Sequence, residues 1–248
     1  MTTPVPAPSE RPGLLLVHGW GFTPDFWNPV LDRLDHPDPV TLDFGFFGPD
    51  SLAARPTRPF VAVGHSLGTL WLLLHRSQAR IGPRAAPGAG PCVGIVLLNG
   101  FARFGAAPDY PAGVAPRIID RMAHGLDSNP DDVVATFRAR AGITTPAPAP
   151  ARADRLAHAL RLLRDADART TLPPDGMATL RILAGRQDPI VPPDMTTASF
   201  PAPLPVDWVE DGGHLLPLTH PARCAALIAD LLAAIPPARG ADPAKDHP

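Results

Sequence analysis

Residues 60–79 constrain this chain more than any other stretch. Phe60-Val61-Ala62-Val63 is short and wholly apolar, the signature of a strand buried on both faces of a parallel sheet. It passes without a linker into Gly64-His65-Ser66-Leu67-Gly68, and helical periodicity runs over Leu67–Ala79. A strand, a turn of this kind and a helix in direct succession lift a serine hydroxyl above the strand end. The turn is so sharp that side chains at the two glycines would strike neighbouring backbone. It also leaves Ser66 at a helix N-terminus, where unpaired amides and the helix dipole favour developing negative charge. Ser66 is thus a candidate nucleophile.

The rest of the chain repeats this alternation. Leu14–His18, Val40–Asp43, Phe60–Gly64, Val93–Asn99, Leu180–Ala184 and Val206–Val209 read as strands, and Phe26–Leu34, Leu67–Ala79 and Pro221–Ala234 as helices. Such an order implies an α/β fold with a doubly wound, mostly parallel sheet and right-handed crossovers. From residue 101 to 176 no strand pattern occurs. Helix-like pieces take over at Ala115–Gly125, Pro130–Ala141 and Ala151–Asp167, with a Pro/Ala linker at Thr144–Pro150. Asn129 is placed to cap the second piece, ahead of Pro130, Asp131 and Asp132. A helical insertion after a strand reads as a lid over the strand ends, where ligands of open sheets bind. The expected organisation is a core of residues 13–100 and 177–235, a lid of 101–176, and flexible termini at 1–12 and 236–248.

Three further motifs suit a serine nucleophile. His18-Gly19-Trp20-Gly21 follows the first strand. An oxyanion needs preorganised donors, and the amides of Trp20 and Leu67 are the candidates, with His18 bracing the loop. Gly212-Gly213-His214 follows the last strand. Of nine histidines, only His214 sits on a Gly-rich loop after a late strand, so it is the candidate base. Gly185-Arg186-Gln187-Asp188 follows Leu180–Ala184, which makes Asp188 the candidate acid. Asp211 is its rival, but lies only three residues before His214.

Composition adds few limits. Hydrophobic residues are 45% of the 248, charged residues 19%, and the net charge is -2, so nothing global points to nucleic acid or membrane. Cys92 and Cys224 are far apart, inside apolar runs, and read as reduced core residues. With no basic start followed by an apolar stretch, a cytoplasmic location is expected. The absence of a metal-ligand cluster or nucleotide loop points to no cofactor.

Together the four motifs resemble the α/β-hydrolase superfamily over residues 13–235, in its chain order of Ser66, Asp188, His214. Leu15–Gly21 followed by Phe26-Trp27, and the insertion with Asp131-Asp132 and Ala151–Arg155, is similar to the pimeloyl-acyl-carrier-protein methyl ester esterases of biotin synthesis. That resemblance implies a carboxylesterase in which Trp20 gives an oxyanion amide and packs on the acyl chain. It also implies that Arg138, Arg140, Arg152 and Arg155 hold an acidic acyl carrier protein. From the residues alone, the insertion's arginines are equally a solvated surface, although Arg117 and Arg121, four apart, share a helix face. The chain departs from the resemblance at residues 43–60, where the usual helix is lost or reduced and Phe44-Gly45-Phe46-Phe47-Gly48 replaces a Pro-Gly-x-Gly-x-Ser turn. The alternatives are a small-ester or lactone hydrolase without a carrier, and a binding protein of the same fold.

Overall fold

Short apolar runs joined by helices can bury both faces only by lining up side by side, and the strands do so. The computed structural model describes residues 11–77, 80–81, 88–172 and 179–236. Strands β1 (Gly13–Val17), β2 (Val40–Leu42), β3 (Phe60–His65), β6 (Cys92–Leu98), β7 (Leu180–Gly185) and β8 (Asp207–Val209) form one sheet in the order β2-β1-β3-β6-β7-β8. Every pairing in it is parallel. All residues of β1 and β3 are buried, as strands covered on both faces require. Helices α1 (Asn28–Leu34), α2 (Leu67–Leu74), α6 (Pro193–Ser199), α7 (Leu216–Thr219) and α8 (Pro221–Ala234) belong to this core. There α1 packs on α8, α8 lies on β3, β6 and β7, and α2 lies on β1 and β3.

Between β6 and β7 the described residues hold three α-helices, α3 (Pro116–Ser128), α4 (Pro130–Ala141) and α5 (Ala153–Asp165). Arg103 and Asp167, at the two ends of this insertion, pair both through backbone and through a 2.7 Å ion pair. Arg169 adds bonds to Asp167 and Asp109. The bonds from Arg169 and Arg103 hold the Asp167 carboxyl well below its usual range against the opposing effect of burial.

Several local expectations change. Helix α2 ends at Leu74, not Ala79, and the chain enters a small antiparallel pair, β4 (Arg76–Ser77) with β5 (Arg80–Ile81). The apolar periodicity stops there, and the His75 ring bonds to the Trp71 carbonyl in the last turn. Asn129 occupies the N-cap position of α4, yet its side chain does not cap. It donates to the Asp132 carboxylate instead. Residues 43–59 form no helix or strand. Helices α6 and α7 each hold less than two turns, too short for a readable hydrophobic period. Cys224 is buried, which pushes its thiol up to about 12, and Cys92 is half-buried. The expected termini, except residues 11–12 and 236, and the stretch 173–178 lie outside the described residues. No described helix is long and apolar enough to cross a membrane.

Candidate active site

The serine turn carries backbone strain. Strand β3 ends at His65, α2 begins at Leu67, and Ser66 between them has φ 53° and ψ -119°. That conformation costs an L-residue on the order of 1–3 kcal/mol, and the turn is held from both sides. The Ser66 amide donates to the Leu98 carbonyl at 3.2 Å, and its carbonyl accepts from the Thr69 amide at 2.9 Å. Gly68 serves close approach rather than an unusual φ. A Cβ there would lie 2.1 Å from the Val17 carbonyl oxygen, so α2 can leave the sheet only over a residue without a side chain. Leu67, as the first residue of α2, has an amide with no acceptor inside the helix.

The loop after β1 runs directly against this turn. A Cβ on Gly19 would meet His65 Nδ1 at 2.9 Å and Ser66 Cβ at 3.0 Å. Trp20 is therefore carried to the serine, and its indole donates to the Leu156 carbonyl at 3.1 Å, tying the loop to α5. His18 packs against residues 43–46, with its ring T-shaped to Phe44 and Phe46. Its ring bonds to the Gly19 carbonyl and reaches Asp43 at the end of β2 at 3.3 Å. Burial alone would raise the Asp43 pKa. The bonds from His18 and the Gly45 amide, with His18's charge, outweigh it and hold the carboxyl below its usual range.

Asp188 and His214 meet in the interior. The ring's Nδ1 donates to Asp188 Oδ2 at 2.8 Å, and both side chains are fully buried. Asp188 Oδ1 accepts the amides of Ile190 and Val191 at 2.7 and 2.8 Å. Its Oδ2 also accepts the Asn99 side-chain amide at 2.8 Å. Four donors fix the orientation of this carboxylate. The other ring nitrogen of His214, Nε2, is buried and has no hydrogen-bond partner among the described residues. Asp211 is not a competitor: its side chain is 83% exposed and pairs with His220.

His65 joins the pieces. Its Nε2 donates to the His214 carbonyl at 2.8 Å, and the two rings lie 4.8 Å apart. Burial pushes its pKa well down, His214 and His18 push the same way, and the bond to the carbonyl offsets only part of this. The ring is neutral, with its proton on the nitrogen that holds the His214 backbone.

A cavity of about 280 Å³ opens in front of Ser66. Trp20, Phe101, Phe137 and Ile190 line it, with Ile119, Met122, Leu160 and Leu163 of the inserted helices. Arg140 is the one charged residue along it among the described residues. Among the described residues no cluster of three or more His, Cys, Asp or Glu side chains is arranged to hold a metal.

A strand–turn–helix serine, a buried Asp–His pair on later strand ends and a helical insertion over an apolar cavity are one architecture. Residues 14–227 match the model of the alpha/beta hydrolase family. The chain belongs to that family. The pimeloyl-[acyl-carrier protein] methyl ester esterase of Methylococcus capsulatus is 29% identical over 254 residues, spanning 90% of this chain and 95% of that one. The protein of the same name from Stenotrophomonas maltophilia is 27% identical, over 92% and 96%. A solved bromoperoxidase from Bacillus anthracis superposes with a TM-score of 0.68 at 15% identity, over 90% of this chain and 92% of that one. At that identity it shows the shared fold alone.

Within this hydrolase the four nominated arginines separate. Arg138 is buried, not presented to a partner. Its guanidinium donates to the Gly21 carbonyl at 3.1 Å and lies over the Phe22 ring, and burial lowers its pKa. It braces the loop that carries Trp20. Arg152 donates to the Gly48 carbonyl at 3.2 Å, and Arg155 pairs with Asp50 at 2.6 Å, so both fasten α5 to the 46–50 loop. Only Arg140 reaches the cavity, and it donates to the Pro189 carbonyl at 3.2 Å. The motifs alone point neither to Asn99 nor to the bracing role of His65. The available signals are a polar residue closing the apolar run Cys92–Leu98 and a histidine inside the serine turn. Neither signal says what the side chain will face.

Proposed function

We propose that this hydrolase cleaves the methyl ester of an acyl chain presented on acyl carrier protein. The observation that carries the chemistry is the buried Asp188–His214 pair, whose unpartnered Nε2 is the nitrogen a general base must offer. Ser66 Oγ attacks the ester carbonyl and its proton passes to His214 Nε2. The oxyanion takes the amides of Leu67 and Trp20. Collapse of the tetrahedral intermediate returns the proton to the leaving methoxide and releases methanol. Water, activated by the same nitrogen, then frees the acid from Ser66. The Nδ1 bond to Asp188 keeps the neutral ring in the tautomer with Nε2 unprotonated, and stabilises the imidazolium once formed.

The substrate class rests on the cavity, the surface beside it and the relatives' names. An almost wholly apolar cavity suits an acyl chain. Ile118 lines it and is 45% exposed, the one large exposed hydrophobic side chain among the described residues. The neighbouring Arg117 and Arg121 are exposed, and form no ion pair with the described residues. An acyl chain entering here would bring an acidic carrier against α3, rather than against Arg138, Arg152 and Arg155.

Turnover of p-nitrophenyl butyrate by the wild type and by Ser66→Ala tests the chemistry, and equal rates would end the esterase reading. Arg117→Glu with Arg121→Glu tests the partner. The pair should slow hydrolysis of a carrier-bound acyl methyl ester about tenfold and leave p-nitrophenyl butyrate unaffected. Equal effects on both would remove the carrier and leave a small-ester hydrolase.

A further inference from the structure

We propose that Asn99 is a positioning residue for the Asp188–His214 pair, which sets both the geometry of the base and how firmly the carboxylate holds the imidazolium. This rests on the serine esterase reading above and adds a residue to it. Asn99 closes β6, the strand between the one that ends at Ser66 and the one that leads to Asp188. It is fully buried, with φ 45°. A left-handed residue at a strand end turns the side chain out of the sheet's alternation, and asparagine is among the few residues that accept this cheaply.

Its two amide hydrogens go to two different loops. One reaches Asp188 Oδ2 at 2.8 Å and the other the Gly213 carbonyl at 3.1 Å. The Asn99 Oδ1 has no partner among the described residues although it is buried. The orientation is therefore chemically determined: a flipped amide would set its oxygen against a carboxylate oxygen and a carbonyl oxygen at once. Leaving one buried oxygen unpaired is the lesser cost.

Two consequences follow from which atoms are touched. Asp188 Oδ2 is the same oxygen that receives Nδ1–H from His214, so Asn99 fixes the carboxylate plane in which the ring must lie. Gly213 directly precedes His214, so the second bond sets the distance between the acid's loop and the base's loop. A donor on Oδ2 also draws charge from it, which weakens its hold on a protonated ring. Removing that donor should leave the ring protonated to higher pH, where it cannot act as a base.

The test uses two variants that accept the local backbone. Asn99→Gly removes the amide and accepts the positive φ without strain. Asn99→Asp is nearly isosteric, tolerates the same φ, and sets a second carboxylate against Asp188. Both are measured with p-nitrophenyl butyrate from pH 5 to 9, alongside thermal unfolding. Asn99→Gly should lower kcat about tenfold, leave KM unchanged, and move the acid limb of the kcat/KM profile to higher pH. Asn99→Asp should move that limb further in the same direction. If both variants keep the wild-type limb, Asn99 is a structural brace only and the proposal is overturned, whatever happens to Tm. If Asn99→Gly fails to fold, the limb of Asn99→Asp alone decides. The esterase reading fails separately, on an active Ser66→Ala.

Discussion

Replacing Asp188 by asparagine isolates what the buried carboxylate contributes. The side chain keeps its shape, and four donors surround it. Two are backbone amides, from Ile190 and Val191, and cannot turn away. The oxygen of the new side-chain amide must face them, because its NH2 would meet two N–H groups. That places the NH2 where Oδ2 was, against His214 Nδ1 and the Asn99 amide. His214 can accept this hydrogen only by moving its own proton to Nε2, the atom that takes the serine proton in the proposed mechanism. The variant thus holds the ring in the wrong tautomer and removes the charge that stabilises the imidazolium. The expected loss in kcat is about 10⁴-fold, or ~5.4 kcal/mol of transition-state stabilisation. KM for p-nitrophenyl butyrate should change little, since Asp188 does not line the cavity. Folding should survive, because the two amide bonds remain, with a modest fall in Tm from the lost Asn99 bond. Steady-state turnover and thermal unfolding by circular dichroism decide it. A variant within about tenfold of wild-type kcat would show that Asp188 is not the group that orients the base.

Three further outcomes follow from the same geometry. Ser66→Gly should raise Tm by roughly 2–6 °C, because glycine accepts φ 53°, ψ -119° without the strain that serine bears. Ser66→Ala should show no such gain, and equal melting temperatures for the two would remove strain from the account. His65 is buried and its pKa is depressed, so the unfolded chain binds its proton first. Stability is then complete above the unfolded histidine's pKa of about 6.5 and falls as pH drops below it. The slope from this group reaches at most about 1.4 kcal/mol per pH unit. Urea unfolding at pH 7.5 and 5.5 should show the loss and His65→Asn should reduce it; an unchanged slope in that variant counts against the assignment. Leu163→Phe narrows the cavity of about 280 Å³. It should cut kcat/KM for p-nitrophenyl octanoate about tenfold while sparing the acetate, and a parallel loss on both would mean that acyl chains do not lie there.

Much of the candidate site is legible in the amino-acid sequence because each piece is local. Ser66 is defined by the strand before it, the tight turn and the helix after it, and the backbone stereochemistry of those residues leaves little else possible. Asp188 and His214 each follow a short apolar strand and sit in loops of distinctive composition. Chain order alone then pairs them with the serine, because parallel strands deliver every such loop to the same edge of the sheet. The extents of α2, α6 and α7 are less legible, since helices of about two turns or fewer carry almost no period.

The rest is decided by contacts between residues distant in sequence. Arg138 has the charge and position of a surface residue on a helix, yet the fold turns it inward onto Gly21 and Phe22. Arg152 and Arg155 are drawn to the 46–50 loop by Gly48 and Asp50, about a hundred residues away. Asn99 becomes part of the site only because β6 lies between β3 and β7. The sequence by itself determined the sheet, the serine turn and the candidates for its partners, through stereochemistry and burial that act over a few residues. The tertiary structure decided which buried polar groups brace those partners and which arginines face solvent. Those outcomes depend on which acceptors come within hydrogen-bonding reach once distant segments have packed.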